Sequence, residues 1–280
     1  VAVVETSQAL PGEPSFWRDS MLDMSGPGAQ YNQFADVLNI VLELEPRTEF
    51  SAEEREQLEL TNLNRGSAWV EQYHRSVRIA GLKVAEHLAE CTRGLPPDRF
   101  DTHELSPVDE TLPRVAYTCQ VLFHLYYGEF IGRHPVLVHP NELMDGAVLN
   151  THNTVASTRD ATYVLQNHPV VQELYDLHGK ELDFAGVFAY RGQINSMDDK
   201  ERSTDQAVKT LRMMGVDGVV MTWTGAGNPG IDIMLLCQKC EQQGIKTSMI
   251  NPEMGLIPDD TGFVHEVPEA DAIVNAGNYE

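Results

Sequence analysis

Positive charge is what this chain is shortest of. Its 280 residues carry 20 Lys+Arg against 42 Asp+Glu, a formal net charge of −22. A nucleic-acid binder needs a basic face that displaces counterions, so that class is disfavoured. Docking on anionic lipid fails for the same reason. Long apolar runs are missing too: Ile233 to Cys237 falls far short of the roughly 20 residues that span a bilayer. There are only four cysteines, Cys91, Cys119, Cys237 and Cys240, too few in a chain this long for a disulfide scaffold. No basic leader opens the chain, and Val1 to Leu10 reads as a strand entered mid-protein, so further residues are expected before Val1. Together these absences lead to the expectation of a reduced, cytoplasmic protein. Neither a serine nucleophile elbow nor a phosphate-binding P-loop is present.

What is present is a globular composition, 42% hydrophobic and 22% charged. The length suits one large domain or two ordinary ones. Leu38 to Leu44 reads as a buried strand that stops before Pro46. Ser51-Ala-Glu-Glu54 has the capping-box pattern of a helix start. A long helix is expected from about Trp69 to Cys91, with Val77, Ala80, Val84, Ala85 and Leu88 at helical spacing. Arg114 to Phe123 is rich in β-formers. From Asn167 the pattern turns regular: helix 169–179, strand 183–190, helix 204–214, strand 218–222, helix 231–243, strand 246–250 and a last strand 272–275. Such β-α-β-α-β alternation with short connections signals a parallel sheet. The expectation is therefore an α/β protein of two lobes: an N-terminal lobe over 1–150, a polar loop over 151–166, and a C-terminal Rossmann- or flavodoxin-like parallel lobe over 167–280.

Five motifs invite a functional reading. Gly225-Ala-Gly227-Asn-Pro-Gly230 matches GxGxxG after a strand and before a helix, where glycines open a helix N-terminus to a pyrophosphate. The strand is not the first of its unit, however, and Asn-Pro is an ordinary helix start. A tight loop facing a cleft, with Gly225, Gly227 and Asn228 at its rim, is favoured over nucleotide binding. Cys237-Gln-Lys-Cys240 lies on one apolar stripe with Ile233 and Leu236, so core packing is favoured over metal or redox chemistry. His134, His139, His152 and His168 cluster in sequence without zinc-helix spacing, and no metal is expected; most read as loop histidines, with His152 the one inside a polar loop. Asp198 to Thr204 reads as a solvated helix start capped by Ser203, the alternative being that Lys200, Glu201 and Arg202 meet a partner or a substrate carboxylate. The aromatic run Phe123 to Gly128 suits an interface and a buried strand equally.

Several stretches, taken in order, resemble one family. They are Met24-Ser-Gly-Pro-Gly-Ala-Gln-Tyr31, His74 to Glu86, Glu142-Leu-Met-Asp-Gly-Ala147, and Gln166-Asn-His-Pro-Val170 with Glu173-Leu-Tyr175 and His178-Gly179. Asp199-Lys-Glu-Arg-Ser203, Gly215-Val-Asp-Gly-Val219, Gly227-Asn-Pro229 and Ala270 to Val274 continue the likeness. Together they resemble the alpha/beta proprotein subunit of component B of glycine, sarcosine and betaine reductases. The resemblance implies an oxidoreductase complex that reductively cleaves a C–N bond of a small amine or amino-acid substrate. It also implies a partner subunit carrying a reactive cysteine or selenocysteine. The family's proprotein is cleaved at an internal cysteine, which becomes a pyruvoyl group able to form a Schiff base.

Here the corresponding segment, Val148 to Thr158, holds no cysteine. By the resemblance, the cleaved bond falls near Asn153-Thr154, in a register that also admits Ser157. Ser157 would yield a pyruvoyl group by N→O acyl shift and elimination, whereas a threonine would leave a 2-oxobutanoyl group. An uncleaved subunit is the favoured expectation, and the cofactor is left unknown. His152, Asn153, Thr154 and Ser157 are the candidate catalytic residues, lining a cleft with the glycine loop. The rival expectations are a non-catalytic scaffold subunit that shapes its partner's site and an independent nucleotide-binding protein.

Overall fold

The computed structural model describes residues 2–7, 25–27, 29, 34–35, 37–45, 51–54, 68–121, 125–127, 129–130, 135–146, 148–150, 165–192, 196–223, 227–253 and 264–278. They fall into two compact units, one of residues 1–101 with 151–159 and one of 102–150 with 160–280.

In the first unit, β1 (Ala2–Ser7) and β2 (Asn39–Leu44) pair in parallel, Ala2 against Asn39 through Ser7 against Leu44. The helix α1 (Ala68–Cys91) packs on β1. It ends as its apolar spacing gives out, in a turn closed by Gly94 at φ 86. The capping box is realised: the Ser51 amide donates to Glu54 Oε2 at 2.7 Å and the Glu54 amide donates to Ser51 Oγ at 3.1 Å. The strand expected to be buried at 38–44 is only half so, with Leu38 71% and Val41 59% exposed. Along β2 the side chains are half-buried or exposed by turns, as the pleat of a strand covered on one face gives.

The second unit is an α/β layer built on one six-stranded sheet. Its strands are β3 (Arg114–Val121), β6 (Val136–Val138), β8 (Asp183–Arg191), β9 (Gly218–Thr222), β10 (Lys246–Glu253) and β11 (Ile273–Asn278). They lie in the order β11-β10-β9-β3-β8-β6, all parallel except β6, which runs antiparallel to β8 at one edge. The parallel strands alone give the flavodoxin-like order 2-1-3-4-5, with β3 as strand one. A separate antiparallel sheet joins β5 (Glu129–Phe130), β4 (Leu125–Tyr127) and β7 (Val148–Asn150).

Helices cover both faces of the large sheet, as a parallel sheet requires. α4 (Met197–Met213) and α5 (Asn228–Gln242) pack on the face carrying Ala116, Phe188, Tyr190, Val219 and Met221. α2 (Pro140–Met144) and α3 (Pro169–Leu177) pack on the face carrying Tyr117, Cys119, Phe184, Val187 and Ala189. One bulge interrupts the β3–β8 ladder, where pairing passes from Val115–Phe184 to Ala116–Gly186. Gly186 takes φ 127 there, a region closed to side chains.

Residues 102–150 group with 160–280, since β3 sits between β8 and β9 although a crossover of some sixty residues separates it from β8. Two helix starts differ from expectation. α4 starts at Met197, not Thr204: Ser196 is its cap, its Oγ accepting from the Asp199 amide, and Ser203 lies buried mid-helix instead of capping. α5 starts at Asn228, not Ile231, because Pro229 fits the first turn, where its missing N–H costs nothing.

Candidate functional site at the carboxyl edge of the sheet

After β8 the chain crosses to the other side of β3 and lays down β9, β10 and β11. The carboxyl ends of β3 and β9 therefore flank the point where strand order reverses, the usual crevice of open parallel sheets. Side chains from both layers converge on it.

On the α4–α5 side, Gly227 caps α5 at φ 69, with no side-chain cap bond. Gly230 lies under an indole ring: a Cβ there would stand 3.1 Å from Cζ3 of Trp223. Gln120 Nε2 donates to the Pro229 carbonyl at 2.9 Å. Lys200 Nζ donates to the Asn228 carbonyl at 3.1 Å and forms an ion pair with Asp232. Both charged side chains are buried, 3% and 0% exposed. Beyond them Trp223 Nε1 donates to Asn251 Oδ1 at 2.7 Å, and Asn251 Nδ2 donates to Asn275 Oδ1 at 3.2 Å. The first turn of α5 is thus held by buried polar groups from two directions, β3 and α4, with the Trp223 ring packed against it. Burial pushes the Tyr190 phenol up, and the nearby Asp232 carboxylate adds to that shift.

On the other side, Tyr117 from β3, Thr222 at the end of β9 and His168 at the N-cap of α3 form a hydrogen-bonded line. Tyr117 Oη lies 2.9 Å from His168 Nε2 and also bonds Thr222 Oγ1. Burial draws the His168 imidazole down to about 4, so it is neutral near pH 7. Its Nδ1 is buried with no hydrogen-bond partner among the described residues.

The candidate residues read from sequence divide between the described and the undescribed. Gly227 and Asn228 stand at the start of α5, after the carboxyl end of β9. His152, Asn153, Thr154, Ser157 and Gly225 lie outside the described residues. Cys237 and Cys240 are fully buried in the core of the α5 face. Burial raises both thiols, and Cys237 Sγ sits 3.2 Å from Thr247 Oγ1. Among the described residues no three metal-ligating side chains cluster, and no helix is long and apolar enough to cross a membrane.

Sequence reasoning passed over His168, which it grouped with loop histidines, and Lys200, which it placed on a solvated helix start. A signal existed for Lys200: with Thr204, Ala207, Val208 and Leu211 it falls on one helical face, all of it buried. Nothing comparable marked Tyr117 and Thr222, which meet only across the sheet.

These features define an open α/β protein of flavodoxin-like strand order, with buried, hydrogen-bonded polar groups gathered at the switch point. A family model, that of the glycine/sarcosine/betaine reductase component B subunits, matches residues 2–280, and the chain belongs to that family. It is 32% identical over 291 residues to glycine reductase complex component B subunits alpha and beta of Acetoanaerobium sticklandii, an alignment covering 99% of this chain and 62% of that one. To sarcosine reductase complex component B subunit alpha of Peptoclostridium acidaminophilum it is 32% identical over 293 residues, 99% of this chain and 63% of that one. Betaine reductase complex component B subunit alpha of the same organism is 28% identical over 284 residues, 94% of this chain and 59% of the relative. The chain thus spans about three fifths of the length of the curated relatives it matches. No solved structure matches it.

Proposed function

We propose that this chain serves as a component B-type subunit of a reductase complex. The complex would reductively cleave a C–N or other C–heteroatom bond of a small, amino-acid-like substrate, with a partner subunit supplying a reactive cysteine or selenocysteine. The observation that carries this reading is the family match from residue 2 to residue 280. The buried polar groups gathered at the switch point support it, since a small polar substrate needs a rigid polar frame. In this reading His152, Asn153, Thr154 and Ser157 are the candidate catalytic residues, and Gly225, Gly227 and Asn228 a candidate substrate loop.

A cysteine-derived pyruvoyl group does not fit these residues. No cysteine lies between Met144 and Gln166, while Cys119, Cys237 and Cys240 are buried within the sheet and α5. No step is therefore routed through such a group, and the subunit acts as one uncleaved chain. Substrate binding then falls to fixed donors and charges. The missing cysteine also favours a second reading, a scaffold subunit that only shapes its partner's site.

The test is reconstitution of the chain with its co-purifying partner and assay of reductive cleavage of glycine, sarcosine and betaine. Turnover that falls when Asn153 and Thr154 are both changed to Ala supports the catalytic reading. Unchanged turnover in that variant removes the loop and favours the scaffold. Activity in a partner preparation without this chain defeats both.

A further inference from the structure

The two edges of the six-stranded sheet differ in kind. β6 is three residues long and antiparallel to its neighbour, while β11 is six residues long and parallel to its own. The ladder fixes which backbone groups of β11 face outward. The Met249 amide donates to the Ala272 carbonyl at 2.8 Å, and Met249 and Asn251 stand opposite Ile273 and Asn275. In a parallel ladder of that phase Val274 turns its N–H and C=O toward β10, whereas Ile273 and Asn275 turn theirs away from it. Among the described residues no strand pairs with that outer side. Val274 is 58% exposed, and Ala272, Asn275 and Ala276 are exposed around it. Edges are ordinarily blunted by charge, by proline or by brevity. Ala272 to Asn278 holds no charged residue and no proline. A row of outward donors and acceptors is matched by the edge of another strand. Charge selects whose strand: at a net charge of −22 two copies of this chain repel, and an uncharged edge is where they touch at least cost.

We propose that β11 is a homodimer interface, in which the β11 strands of two copies pair antiparallel about a two-fold axis at Val274. The inference goes beyond the functional reading and does not rest on it. In this register Ile273 of each copy stands opposite Asn275 of the other, and each such pair exchanges both of its N–H···O bonds. Val274 meets its own copy at the close site between them, a β-branched cross-strand pair. Asp271 falls opposite Gly277, so no acid in the paired segment meets an acid. Thr222, Ile250 and Val274 form one row across the sheet, and the row continues into the second copy at the side chain left most open.

The experiment is sedimentation velocity on the 280-residue chain over a wide range of concentration, which should show monomer and dimer in exchange. Val274→Lys sets two like charges face to face at the axis and should weaken the dimer roughly tenfold. Circular dichroism of that variant should match the wild type, since the side chain is exposed. A second variant reads the register directly. Val274→Cys, in a Cys91→Ser background that removes the exposed native thiol, should form a covalent dimer under mild oxidation. The close site of an antiparallel pair sets Cα atoms about 4.5 Å apart, within the span of a disulfide. Leu137→Cys in the same background is 51% exposed on β6 at the other edge and should stay monomeric on reducing-free gels. A chain that remains monomeric at every concentration, a dimer equally tight in Val274→Lys, or cross-linking of Val274→Cys no faster than that of Leu137→Cys would each overturn the proposal.

Discussion

Replacing Lys200 by Met tests the buried frame of the crevice most directly. The pair it forms with Asp232 is almost completely screened from water, at 3% and 0% exposed. Lys200 also donates to the Asn228 carbonyl and so ties α4 to the first turn of α5. A buried ion pair contributes little relative to well-packed apolar residues, because desolvation offsets the attraction. Breaking one is a different matter. Lys200→Met leaves the Asp232 carboxylate buried without its cation and should cost about 3–5 kcal/mol. That is a large share of the roughly 5–15 kcal/mol that holds a typical domain folded. The double variant Lys200→Met/Asp232→Leu removes both charges and should recover most of the loss. Urea denaturation followed by near-ultraviolet circular dichroism, in which Trp223 sits beside the site, measures all three proteins. The single variant should also regain stability on acidification, since an unpaired buried carboxylate relieves itself by taking up a proton. A loss below about 1 kcal/mol in Lys200→Met, or a double variant worse than the single, would refute the reasoning.

Other consequences are as direct. His168 is held near 4 instead of 6.5, so below pH 6.5 the unfolded chain takes up a proton that the folded chain refuses. Stability from this group is whole above about pH 6.5 and fades toward pH 4, by about 3 kcal/mol. His168→Gln should flatten that stretch of the stability profile; parallel profiles would show that the ring is not buried neutral. Gly230→Ala sets a methyl 3.1 Å from the Trp223 ring and should cost about 1–3 kcal/mol with a changed near-ultraviolet spectrum; an unaltered protein would contradict the packing. The intact chain should show a single mass under denaturing conditions and no phenylhydrazine adduct; an adduct on a fragment beginning near Thr154 or Ser157 would restore a carbonyl mechanism.

Much of the second unit was legible because its elements carry local marks. β9 was read to the residue: Gly218 to Thr222 is an apolar run between turn residues. α3 announced itself through His168-Pro169 at its start and Gly179 just past its end. The start of α4 was lost because helical periodicity is recognised by apolar side chains, and its first two turns hold Asp198, Asp199, Lys200, Glu201 and Arg202. β10 runs on past Ile250 through Pro252, a residue that reads as a stop; the ladder to β11 slips there, between Asn251 and Glu253, where Pro252 has no N–H to donate. Strand order left no local trace at all, so neither the place of β3 nor the meeting of Tyr117 with His168 and Thr222 could be foreseen. Family resemblance fared better because it integrates many weak matches in one order along the chain.

The central position of β3 has a consequence for how this polypeptide would tolerate being cut. β3 pairs along its length with β8 on one side and with β9 on the other, both of which follow it by a long crossover. A backbone break anywhere in 151–164 would leave β3 on the first fragment and its two neighbours on the second. The two fragments would then share a strand lodged in the middle of a sheet, joined by two ladders and two buried faces. Such a nick would change the number of polypeptides without dissolving the body they form. Fragments 1–153 and 154–280, expressed separately and mixed, should complement each other into that same body. An architecture of this kind lets a lineage gain or lose internal cleavage with little change to the folded unit around it.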